Sequence, residues 1–239
     1  MGTVAREVVI DPRFNGPPDS GHGGYCAGRA AALVDVPPHG AVEVTLRRPV
    51  PLATPLRADR GDDGDIALRA GDELVMTARP VPAPALGREP AVGVAAARAA
   101  IDPDRWGGEH PFPTCFGCGP ERDPADALRL FAGRTGDGSR FAVPWTPAPW
   151  AGGDGVAAAE FVWAAVDCPS AAPAAGDDPV VLGRLTLALD GPVPLGRPAV
   201  VESWSEGVDG RKHHTAVVLH DGAGIVHAHG RATWIAVPR

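Results

Sequence analysis

The sequence predicts an α+β fold built from two copies of one unit, each a short helix followed by an antiparallel meander of strands. Three observations carry that reading. The stretch from Val42 to Pro55 returns as Leu185 to Pro198, with its alternating apolar positions and all three prolines in register (Pro49, Pro51 and Pro55 against Pro192, Pro194 and Pro198). A glycine-led segment of small residues precedes each copy, Gly23 to Val34 and Gly153 to Val166. Alternating strands with acidic or glycine turns follow each copy, and self-similarity on this scale marks a duplicated folding unit. A site is then expected where the copies meet.

The first unit, residues 1–84, opens with a strand from Val4 to Asp11, breaks at Asn15-Gly16-Pro17-Pro18 and enters its helix after Gly21-His22-Gly23-Gly24. Strands are expected at 41–49, 56–60, 66–69 and 73–80, with Asp62-Asp63-Gly64 and Ala70-Gly71-Asp72 as turns. Residues 85–114 form a proline-rich linker with an alanine-rich helix, Ala91 to Ile101, stopped by Asp102-Pro103. The second unit, 115–239, has strands expected at 127–132 and 140–145, then a helix, then four long strands at 180–190, 199–206, 212–220 and 224–237. Asp209-Gly210 and Asp221-Gly222 supply hairpin turns. A helix and a meander must cover each other, because each has an apolar face to bury.

Composition bounds the function. With 239 residues, 44% hydrophobic, 21% charged and a formal charge of −7, the chain reads as a globular protein whose acidity argues against nucleic acid as a partner. No apolar run approaches the roughly 20 residues a membrane span needs, and Met1 to Arg6 lacks a signal-peptide core, so a cytoplasmic location is expected. Four cysteines are too few for a disulfide scaffold. Cys115 and Cys118 have zinc-knuckle spacing, but a closed site wants four ligands and only His110 stands close in sequence. Cys26 or Cys168 would have to complete it from afar, so neither metal nor cofactor is expected. The glycine runs match no phosphate-binding turn, and the histidines at 213, 214, 227 and 229 read as surface strand residues.

The second helix holds the main anomaly. From Val156 to Val166 it is apolar on every face except at Glu160, the pattern of a buried helix. Asp167 follows seven residues later, about 10 Å along the axis on the same stripe. A buried carboxylate is normally paired, and Arg29 is one partner for Glu160. Asp167 sits awkwardly against the negative end of its own helix.

The order of elements, the glycine-led helix and the repeated proline turns resemble the hotdog fold in tandem, over 4–84 and 115–237. His22-Gly23-Gly24, with Asn15 upstream, resembles the His-Gly-Gly that opens the central helix in thioesterases of the phenylacetate-pathway type. Cys115-Phe116-Gly117-Cys118-Gly119-Pro120, Trp145 and Val166-Asp167-Cys168-Pro169 are similar to segments of the acyl-CoA thioesterase-like hotdog proteins. The resemblance implies a double hotdog acting as an internal pseudo-dimer, able to stand alone or to pair again, that hydrolyses an acyl-CoA or other acyl thioester without a cofactor. It implies Gly23 and Gly24 as oxyanion donors, His22 and Asn15 as positioning residues, Glu160 or Asp167 as base, and Arg29, Phe161 and Trp163 along the substrate. The opposite site, from Arg29 and Gly153-Asp154-Gly155, would be degenerate. The alternatives are a non-catalytic acyl-CoA or lipid binder and a hotdog-fold hydratase.

Overall fold

The computed structural model describes residues 6–87, 91–104, 109–174 and 178–237. Expectations that fall on Val4, Ala5 and linker residues 88–90 lie outside them. In the first half come β1 (Arg6–Val8), α1 (Gly23–Ala31), β2 (Gly40–Leu46), β3 (Leu56–Arg60), β4 (Ile66–Ala70) and β5 (Glu73–Pro82). A short α2 (Val94–Ala99) follows, then β6 (Gly133–Arg134), β7 (Phe141–Trp145) and a small hairpin, β8 (Gly152–Gly153) with β9 (Val156–Ala157). The chain continues through α3 (Ala159–Ala171), β10 (Val180–Leu189), β11 (Ala199–Asp209), β12 (Lys212–His220) and β13 (Val226–Ala236).

Eleven of these strands form one antiparallel sheet in the order β1-β3-β4-β5-β2-β10-β13-β12-β11-β7-β6. Read outward from the β2–β10 seam, the two halves have the same order. At the seam Glu43 lies opposite Thr186, Val44 opposite Leu185 and Val42 opposite Leu187. In the sequence repeat Glu43 corresponds to Thr186, Val42 to Leu185 and Val44 to Leu187. The repeated strand thus meets its own counterpart with the flanking residues exchanged, the relation a local twofold axis produces.

The helices α1 and α3 lie side by side inside this sheet. Their contact is close because α1 carries glycine where α3 crosses it. A Cβ at Gly24 would stand 2.4 Å from the Trp163 carbonyl oxygen, and one at Gly28 would stand 2.6 Å from Glu160 Cα. Both obstacles are backbone, which cannot swing aside. Gly28→Ala gains helix propensity of about 1 kcal/mol, but overpacking a filled contact costs about 1–3 kcal/mol. We expect a net loss of stability, read as a lower denaturation midpoint; a midpoint that rises would show that the helices part without cost.

Two segments differ from the sequence expectation, each for a local reason. Residues 127–132 form no strand, because the Leu128 and Leu130 amides donate to the carbonyls of Phe116 and Gly117 in the cysteine loop (2.9 and 2.8 Å). The second helix begins at Ala159 instead of Gly153 and runs past Pro169 to Ala171. Proline is tolerated there because buried side chains fasten the last turn. Ser170 donates to the Asp167 carbonyl (2.7 Å), Ser203 donates to that of Pro169 (2.7 Å), and the Trp234 indole donates to Ser170 (3.2 Å). Asp167 therefore stands inside the helix and not at its end.

A second buried polar cluster sits on the far strands. Glu202 of β11 is 3% exposed; Arg140 donates to it at 2.6 Å, and His220 Nε2 lies 3.2 Å away. Burial pushes the Glu202 carboxyl up, but His220 and Arg140 together hold it below its ordinary value of 4.5. A depressed carboxylate stabilises the fold above its unfolded value and loses that contribution as pH falls through its folded one. Glu202→Gln is expected to cost about 1.5–3 kcal/mol at neutral pH. In denaturation series the gap to the parent should close in acid; a gap unchanged by pH would remove Glu202 from the account.

Candidate functional site

The site begins with the loop that precedes α1 and the cysteine loop, 115–119, that precedes β6. Asn15, 6% exposed, uses both ends of its amide. Its Nδ2 donates to the Gly16 carbonyl (3.1 Å) and to Thr114 Oγ1 (3.2 Å), and its Oδ1 accepts from Arg122 (3.0 Å). The Phe116 amide donates to the Asn15 carbonyl (2.8 Å). These bonds hold the 115–119 loop against the start of α1. Phe14, Tyr25, Phe116, Trp150 and Phe161 pack as one aromatic cluster behind it, with Phe14 and Tyr25 stacked at 3.9 Å.

His22 is the N-cap of α1. Its Nδ1 accepts from the Tyr25 amide (3.2 Å), so in the neutral ring the proton is on Nε2. Nε2 faces Asp167 Oδ2 at 3.3 Å and Cys168 Sγ at 3.3 Å. The Gly24 amide donates to the same Asp167 oxygen at 2.7 Å. Cys26 closes the turn by donating its amide to the His22 carbonyl (2.9 Å). Of the first-turn amides, Gly23 alone makes no hydrogen bond among the described residues. An acid that is awkward on its own helix thus lies on the positive end of the neighbouring one.

The electrostatics follow from burial. Asp167 is 2% exposed; burial raises its carboxyl to about 6 against the opposing pull of His22 and the Gly24 amide. Burial draws the His22 pKa down, but the Asp167 charge and Cys115 outweigh it and leave it raised. Asp167 Oδ1 is buried with no hydrogen-bond partner among the described residues, an arrangement that marks an acceptor awaiting water or ligand. Among the thiols, Cys115 is held well below the usual range, chiefly by hydrogen bonds from Cys118 and Cys168. Those two are pushed well above it, chiefly by Cys115.

A cavity of roughly 300 Å³ opens beside these groups. Asp167, His22, Gly23 and the three cysteines border it on one side, and Leu182, Trp234 and Ile235 on another. The structure thus brings together Asn15, His22, Gly23, Gly24 and Asp167. Glu160 is instead at the other end of the helix contact, beside Gly28. Arg29 donates to the Tyr25 hydroxyl (3.4 Å), Trp163 is packed between the helices, and Phe161 belongs to the aromatic cluster. Glu160, Arg29, Phe161 and Trp163 do not line this cavity. Gly153-Asp154-Gly155 forms the exposed β8–β9 turn, with Asp154 and Gly155 at φ of 52° and 80°. Sequence reasoning gave Cys168 and Gly117 no place beside Asp167 and left out Arg122; the adjacency of Cys168 to Asp167 was the available signal for the first.

No protein-family model matches the sequence, nor does any curated protein sequence. Solved structures do resemble it. A tesB protein from Mycobacterium avium subspecies paratuberculosis matches with a TM-score of 0.65 at 14% identity, over 97% of this chain and 92% of that one. A protein assigned as thioesterase II from Thermobifida fusca gives 0.64 at 17% identity, over 100% and 94%. A protein assigned as a thioesterase from Novosphingobium aromaticivorans gives 0.59 at 15%, over 100% and 98%. Over nearly its whole length the chain has the fold of these thioesterase-type hotdog proteins, and no helix among its described residues is long and apolar enough to cross a membrane.

Proposed function

We propose that the chain is a double hotdog, with units at 1–84 and 115–239 joined by 85–114, that hydrolyses an acyl thioester at a composite site between the units. The observation that carries this reading is the 2.7 Å hydrogen bond from the Gly24 amide, on the first helix, to Asp167 on the second, at the edge of a largely apolar cavity. In this reading Asp167 activates water and the free Gly23 amide, at the positive end of α1, donates to the oxyanion. The Gly24 amide orients Asp167, His22 stands beside it at 3.3 Å, and Asn15 anchors the loop that closes the site. Glu160 lies too far along the helices to share the task, so Asp167 is the base. The fold likeness to proteins named as thioesterases supports the reaction class, and an acyl-CoA is the natural substrate to try.

The test is chromatographic separation of acyl-CoA from free CoA after incubation with the enzyme, its Asp167→Asn variant and its Glu160→Gln variant. Turnover lost in the first variant and kept in the second is expected. Turnover kept by Asp167→Asn would overturn the assignment. A non-catalytic binding reading draws on the same hydrogen bond, since the carboxylate already fills one of the helix donors; it predicts acyl-CoA bound and recovered intact.

A further inference from the structure

Three cysteines and a histidine from three separate segments converge beside Asp167. Cys115 Sγ lies 3.8 Å from Cys168 Sγ, and Cys168 Sγ lies 3.3 Å from His22 Nε2. The ligand atoms of His22, Cys115 and Cys168 all stand within 4.8 Å of one another. Cys118, three residues after Cys115, borders the same cavity, outside this group of three. A tetrahedral zinc with bonds of about 2.3 Å to sulfur and about 2.0 Å to nitrogen sets its ligand atoms roughly 3.4–3.8 Å apart. The 3.3 and 3.8 Å separations among His22, Cys168 and Cys115 fit three corners of such a site.

The surrounding chain is shaped to the same purpose. A Cβ at Gly117 would fall 2.4 Å from His22 Nε2 and 2.5 Å from Cys168 Sγ, so only glycine leaves the space between them clear. The Gly119 amide donates to the Cys115 carbonyl (2.8 Å), curling the loop so that Cys115 and Cys118 both border the cavity. Cys26, the remaining cysteine, lies apart, against Gly21 and Ile10. Histidine and thiolates together are the donor set zinc prefers.

We propose that His22, Cys115 and Cys168 bind one zinc(II) ion, with Cys118 turning in from the cavity wall as the fourth ligand, and that the ion ties the cysteine loop to the start of α1 and the end of α3. Binding releases the three thiol protons and involves no change of oxidation state. It also moves the ring proton of His22 from Nε2 to Nδ1, exchanging the 3.2 Å contact with the Tyr25 amide for a coordination bond. Four protein ligands leave no open position, so the ion's part is structural. The sequence reading names Cys168, with Cys26, as a ligand that would have to come from afar; folding brings Cys168 in, together with His22, which that reading does not count as a ligand. The proposal does not rest on thioester turnover, and its test uses none.

The chain purified without chelator from zinc-supplemented cells should contain roughly one zinc per chain by elemental analysis, the stoichiometry of a closed site. Replacing zinc by cobalt(II) should give the sulfur-to-metal charge-transfer and ligand-field bands of a tetrahedral thiolate complex. Cys118→Ser should lose the metal while Cys26→Ser keeps it. The cobalt spectrum of the parent chain decides the matter even where a variant fails to fold. A folded parent chain that takes up neither metal, or one that carries a Cys115–Cys168 disulfide after purification under reductant, would overturn the proposal.

Discussion

Asp167→Asn is expected to lower turnover by about 100- to 10,000-fold, the range a positioned general base contributes, while leaving the fold standing. Asparagine keeps the size of the side chain and an oxygen able to accept from the Gly24 amide, so the geometry around 2.7 Å survives. The change removes only the negative charge that could take a proton from water. Burial already opposes that charge, as the rise of the carboxyl to about 6 shows, so its loss should not unfold the chain. Thermal unfolding and steady-state kinetics, run together, separate the two effects. A variant that unfolds early would make Asp167 a structural anchor, and one with parental kcat would free it from catalysis.

Gly24→Ala is expected to be the more destructive change, striking stability and activity at once. The added methyl would meet the Trp163 carbonyl oxygen at 2.4 Å and Asp167 Cβ at 2.5 Å. Relief requires α1 and α3 to separate, and separation breaks the hydrogen bond that defines the site. We expect a loss of about 1–3 kcal/mol of stability, the usual cost of overpacking, and a fall in kcat/KM at least as large as that of Asp167→Asn. Circular dichroism against denaturant gives the first and the chromatographic assay the second. Full activity in a stable variant would mean that the helices have room the geometry denies.

The strands were legible because their alternation and turn residues are local. Leu56–Arg60 and Lys212–His220 fall where the pattern put them, and the Asp209-Gly210 turn joins β11 to β12 with Gly210 at φ 57°. The repeat, too, was plain in the residues that pair at the β2–β10 seam. The helix end was misread because Asp167-Cys168-Pro169 looks like a stop when taken alone; Ser203 and Trp234, distant in sequence, hold the extra turn. Between the two acids the sequence offered no choice. Spacing along one helix cannot say which acid faces a neighbour's first turn; that depends on the antiparallel crossing set by Gly24 and Gly28. The convergence of His22 and Cys168 on Cys115 was hidden for a similar reason, since both enter from other segments.

The seam between β2 and β10 has one further consequence. A strand that fits its own counterpart also fits itself, so an excised first half could join a second molecule of the same half along β2, with Glu43 facing Glu43. That pairing would set like charges opposite each other, and the helix it brought to the middle, Gly23 to Ala31, carries no acid. Splitting the polypeptide therefore invites a mismatched homodimer with two glycine corners and nothing to answer them; fusion in a single chain is what keeps the unlike halves together.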